Sequence, residues 1–120
     1  MAFDAFRQLD DVTGTFYLAR LKLVLGDIFL QSGRLEEALT QYDQGLEELQ
    51  LLKARGVSTE SETASSLINS AIVLVDLGRR AEAHERLLRA QMHTTQIPQE
   101  DPRAQFMSDV ISRNLAAFEG

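Results

Sequence analysis

The residues with the types for chemistry in this chain are few: two histidines, pairs of adjacent acids and a few serines. His84 and His93 lie nine residues apart on one predicted helix, close in angle but about two and a half turns apart along the axis, too far to share one metal ion. They read as solvated or half-buried side chains. The pairs Asp10-Asp11, Glu36-Glu37 and Glu47-Glu48 set neighbours about 100° apart around a helix, which suits a wet face and does not converge two carboxylates on one substrate atom. Ser58 and Ser65-Ser66 have no His or Lys placed to activate them, and no glycine-rich loop follows a strand, so neither covalent catalysis nor phosphate cradling is supported. Cysteine is absent, which removes disulfides and thiol chemistry, and two histidines alone cannot assemble the usual zinc ligand sets. The chain is expected to be no enzyme and to need no metal or cofactor.

The 120 residues are enough for one packed domain. Lys and Arg number 12 against 18 Asp and Glu, for a net charge of −6 and a pI of about 4.8. With no basic run, nucleic acid and anionic membranes are poor candidate partners. The segment from Met1 to Asp11 is acidic and has no secretory-signal pattern. Arg20, Lys22 and Asp27 interrupt the apolar run from Phe16 to Leu30, which is too short to span a bilayer. A cytoplasmic protein is expected.

What must position these side chains is helical throughout. Phe3, Phe6 and Leu9 predict a short first helix ending around Thr13-Gly14. Thr13 or Thr15 then caps a helix to about Ser32 that is apolar on nearly every face, with Phe16, Leu18, Leu21, Leu23, Leu25, Ile28, Phe29 and Leu30, as befits a helix with neighbours on several sides. Gly33 stops it. The return helix, Leu35 to about Arg55, sets Leu35, Leu39, Tyr42, Leu46 and Leu49 on one face and Glu36, Glu37, Asp43, Glu47 and Glu48 on the wet one. Gly56 ends it, and a polar connector with several potential N-caps, Ser58 to Thr63, leads to a helix carrying Leu67, Ile68, Ala71, Ile72, Leu74 and Val75. Gly78 breaks that helix, and a fourth runs from Arg79 or Arg80 to about Thr94 with Ala83, Leu87 and Ala90 inside. After Gln96 to Gln99, Asp101-Pro102 offers an N-cap and first-turn proline to a last helix whose apolar face is Phe106, Val110, Leu115 and Phe118. No stretch alternates with period two. The fold class is all-α, about five helices in stacked antiparallel hairpins.

Those hairpins repeat. Gly33, Ala38, Tyr42 and Gly45 recur 45 residues later as Gly78, Ala83, Leu87 and Ala90, and Gly26 recurs as Ala71. A hairpin cannot bury its apolar face alone, so such units stack into a solenoid. The pattern resembles the tetratricopeptide repeat family. Leu25, Gly26, Phe29, Gly33, Ala38, Tyr42 and Gly45 match the motif, with Leu35 where an aromatic is usual. The second copy keeps Ala71, Gly78, Ala83, Leu87 and Ala90 but departs at Ser70, Leu74 and Arg80. The offset exceeds the usual ~34 residues and is similar to the longer-period variety of bacterial regulators. The resulting organisation is a single domain with an N-terminal helix at 1–13, repeats at 15–56 and 57–97, and a capping helix at 100–118.

The resemblance implies a protein-interaction module with a concave groove lined by one stripe of each repeat's first helix. On matching positions that stripe is Arg20, Leu23, Asp27 and Leu30, then Ser65, Ile68, Ile72, Val75 and Asp76. It would be a mostly apolar surface for a partner protein's helix or extended segment, with a basic residue meeting Asp27 or Asp76. The other reading is that Phe3, Phe6 or the last helix fills the groove. Leu23 and Asp27 stand where the carboxylate-clamp members of the family carry Lys and Asn, leaving Asn69 without companions, so binding of a chaperone tail is not expected. Two alternatives remain. One is a homodimer through Phe3, Phe6 or the Phe106 to Phe118 face. The other is a helical sensor segment of a larger regulator holding a small ligand.

Overall fold

The computed structural model describes residues 2–118, with side chains from residue 12 onward. Five helices follow one another: α1 (Ala2–Gln31), α2 (Leu35–Ala54), α3 (Glu60–Asp76), α4 (Arg80–Thr94) and α5 (Pro102–Ala116). No strand occurs among the described residues.

Three glycines set the topology. Gly33, Gly56 and Gly78 have φ of 75°, 85° and 80°, left-handed values that a Cβ disfavours. Each closes its helix by the same pair of hydrogen bonds. Arg34 N–H donates to Phe29 O at 2.8 Å and Gly33 N–H to Leu30 O at 3.1 Å, and the pattern recurs at Val57 and Gly56 and at Arg79 and Gly78. This closure satisfies carbonyls left over at the helix end and turns the chain back sharply. α1 and α2 thus form one antiparallel hairpin, α3 and α4 a second, and α2 packs on α3 to stack them. α5 covers the open end of the second hairpin against α4 and α3.

The repeated positions form the core. Ala38, Leu39, Tyr42, Ala71, Val73, Leu74, Ala83 and Leu87 make one buried cluster, and Leu46, Leu67, Ile68, Ala90 and Ile111 a second. The return-helix stripe read from the sequence is the buried face of α2: Leu39, Tyr42 and Leu46 enter these clusters, Leu35 packs against the first, and Leu49 joins a third with Ala19 and Leu52. At Gly26 and Gly45 the helices cross closely: a Cβ on Gly26 would lie 2.7 Å from Tyr42 Cε1, and one on Gly45 2.7 Å from Leu23 Cδ2.

Three expectations need correction. α1 runs without a break through Thr13-Gly14, because a glycine inside a helix costs only ~1 kcal/mol relative to alanine and does not end it. α3 starts at Glu60, inside the expected connector, and its N-cap Thr59 makes no side-chain cap bond. Among the described residues an N-cap side chain acts at α5 alone, as expected there, with Asp101 Oδ1 accepting from Arg103 N–H at 2.9 Å. On α5 the inward face is Met107, Val110, Ile111 and Leu115, whereas Phe106 is 66% exposed. The predicted contacts of Phe3, Phe6 and Leu9 lie outside the described side chains.

Candidate functional site

α1, α3 and α5 bound a cleft of about 270 Å³. α1 contributes Arg20, Leu23, Val24 and Asp27, α3 contributes Ser61, Glu62 and Ser65, and α5 contributes Arg103 and Met107. Four of the sequence-predicted groove residues, Arg20, Leu23, Asp27 and Ser65, therefore meet in one hollow. The others lie elsewhere. Ile68 is buried beneath Met107, Val110 and Leu115, so the last helix fills that part of the stripe. Ile72 and Val75 continue it at helical spacing and remain 38% and 39% exposed. Leu30 packs partly into the central core, and Asp76 is exposed.

The hollow's chemistry differs from the mostly apolar surface expected. Charges of both signs, Arg20 and Arg103 with Asp27 and Glu62, stand around Leu23, Val24 and Met107. The sequence pattern could not supply Arg103 and Met107, because they belong to no repeat position and reach the hollow only through the docking of α5, whereas Glu62 lies on α3 one turn before Ser65, just ahead of the expected stripe.

Asp27 is held internally. Tyr42 on α2 donates its hydroxyl to Asp27 Oδ1, and Asn69 Nδ2 on α3 donates to the same oxygen at 3.3 Å. Burial pushes the Tyr42 phenol well above its usual pKa, and the hydrogen bond to Asp27 and that residue's charge push it further. Asn69, without companions in the sequence reading, thus joins a three-helix junction.

Charged side chains assigned to a wet face bridge helices instead. Lys22 Nζ sits 2.6 Å from Glu48 Oε1, joining α1 to α2, and Arg86 sits 2.6 Å from Asp43, joining α4 to α2. His93 is also paired. Its Nδ1 lies 2.7 Å from Glu60 Oε2 while Lys53 Nζ approaches Glu60 Oε1 at 3.1 Å, so the ends of α2, α3 and α4 meet at one carboxylate. Burial raises the pKa of Glu60, but the hydrogen bonds from His93 and Lys53 outweigh it and hold the carboxyl below its usual range. His84 is exposed, its ring 5.4 Å from that of Phe118. Among the described residues no group of three His, Cys, Asp or Glu could hold a metal ion, and no helix is long and apolar enough to cross a membrane.

A second cleft, of about 340 Å³, lies between α4 and α5 at the 95–101 turn, with Thr94, Gln99, Gln105 and Ser108 among its walls. No periodic signal marked it, since most of its residues are polar and come from a connector and the adjoining parts of two helices.

Fold and clefts together define an all-α stack of two helical hairpins and a covering helix. Comparison with known proteins finds no matching family model, no similar curated protein and no similar solved structure.

Proposed function

We propose that this chain is a protein-interaction module of tetratricopeptide-like build, which receives a helix or extended segment of a partner protein along α1 and α3. The observation that carries the reading is the exposure of Ile72 and Val75 in line with the charged hollow around Asp27. Two apolar side chains left accessible further along the α3 stripe offer anchoring area to an amphipathic segment, and the charges of the hollow near Ser65 offer orientation. The reading assigns the chain no catalysis and no cofactor. It sets the protein in the cytoplasm, since an acidic, cysteine-free chain suits a reducing compartment.

A displayed library of helical peptides tests it. Peptides selected on the wild-type chain should lose binding at least tenfold to Ile72→Asp while the far-ultraviolet circular dichroism stays unchanged. Equal binding to wild type and variant would remove the groove from the account.

The second reading, a sensor for a small polar ligand, is favoured by the cleft between α4 and α5. There, Ser108→Trp should abolish the thermal shift produced by any ligand found in a metabolite screen.

A further inference from the structure

α1 carries two opposed faces. Ala19 and Gly26 are buried against α2, and on the far side Tyr17, Leu21, Val24 and Ile28 are 67%, 54%, 50% and 51% exposed. Their spacing is four, three and four residues, the spacing of the seam along which two helices pack knobs into holes. A contiguous row of large apolar side chains is unusual on a monomer's surface and marks an interaction site.

We propose that this seam is a homodimer interface in which α1 of a second copy lies antiparallel across it about a two-fold axis. This pairing does not depend on a partner in the groove, although the seam adjoins the charged hollow and shares Arg20, Val24 and Asp27 with it. The residues beside the seam select both occupant and direction. One shoulder carries Leu18 and Leu25, the other Arg20 and Asp27. In a parallel pair each shoulder meets the opposite shoulder of its neighbour, so Arg20 and Asp27 would face leucines. In an antiparallel pair like shoulders meet. Tyr17 then packs on Ile28 of the second copy and Leu21 on Val24 of the second copy. Leu18 faces Leu25 of the second copy, and Arg20 faces Asp27 of the second copy. Symmetry makes every one of these contacts twice, as an isologous interface requires.

Both charged groups are suited to the pairing. Arg20 is exposed, and among the described residues it pairs with no carboxylate and stands over the Phe16 ring, 5.9 Å away. Tyr42 and Asn69 occupy Oδ1 of Asp27, which fixes the carboxylate, and no hydrogen bond among the described residues takes Oδ2 from an outside cation. The seam is also bounded. Gly14 and Gln31 occupy the next positions at either end and add no large apolar side chain, so the interface is short and the dimer should dissociate on dilution.

Sedimentation equilibrium over a dilution series should show a reversible monomer–dimer exchange. Leu21→Asp should be monomeric at every concentration with unchanged helical circular dichroism, and Arg20→Glu should weaken association on the order of tenfold. The absence of native cysteine permits a direct test of direction. Tyr17→Cys mixed with Ile28→Cys should form a disulfide-linked dimer, and neither variant should cross-link with itself. A wild-type chain that stays monomeric at millimolar concentration, a dimer indifferent to Leu21→Asp, or self-cross-linking of Tyr17→Cys would overturn the proposal.

Discussion

Gly26 on α1 lies against the ring of Tyr42 on α2, so closely that a Cβ there would fall 2.7 to 2.9 Å from three ring atoms. The ring cannot yield easily, because Tyr42 is fully buried and its hydroxyl is tied to Asp27. Gly26→Ala should therefore destabilise the fold by about 1–3 kcal/mol, and Gly26→Leu or Ala38→Phe by several kcal/mol, through overpacking. Gly14 is the control. A Cβ there meets nothing within 4 Å, so Gly14→Ala should stabilise by roughly 0.5–1 kcal/mol. Urea melts of both alanine variants decide it, and equal signs at the two sites would contradict the close crossing.

The junction at Asp27 gives a second expectation. Tyr42→Phe removes a hydroxyl donated to a part-buried carboxylate and should cost about 1.5–3 kcal/mol. Asn69→Ala, which loses a longer bond of 3.3 Å, should cost less. Because both donate to one oxygen, a double-mutant cycle should give a non-zero coupling energy, and simple additivity would separate the two.

Glu60 predicts a pH dependence. Its folded pKa lies below the ordinary value of 4.5, so the unfolded chain binds its proton more readily. The contribution of Glu60 is then fully present above pH about 4.5 and is lost as the pH falls through the lower, folded value. Glu60→Gln should be less stable than wild type at pH 7, with the gap closing in the acid limb. Denaturant midpoints across that range measure it, and a gap that widens toward acid would reverse the assignment.

On α5, Ile111 and Phe106 make an opposed pair. Ile111 is buried at the joint with α3 and α4, so Ile111→Ala should cost about 2–5 kcal/mol. Phe106 is mostly exposed, and Phe106→Ser should change stability by no more than about 0.5 kcal/mol. Thermal melts of the two variants check the facing of the helix.

The hairpins were legible because glycine marks left-handed helix ends and apolar spacing marks buried faces. Gly33, Gly56 and Gly78 and the stripe from Leu35 to Leu49 follow from those two rules alone. Gly14 misled, since the same residue type inside a helix carries no stop unless its φ turns positive. The site was less legible. Repeat geometry brought Arg20, Leu23, Asp27 and Ser65 to one hollow, but the burial of Ile68 and the arrival of Arg103 and Met107 depend on how α5 docks, which no local pattern encodes. The pairings of Glu48, Asp43 and His93 are likewise tertiary. Each lies on a polar face that would be wet on an isolated helix and is covered only when the hairpins stack.

The claim that partners sit on the inner face of the stack is tested most directly by nuclear magnetic resonance, titrating a selected peptide into the isotope-labelled chain. The largest amide shifts should fall on residues 20–30 of α1 and 65–76 of α3, and Ile72→Asp should abolish them. Shifts confined instead to the outer surfaces around Leu51, Leu88 and Met92, whose side chains are also exposed, would contradict the account.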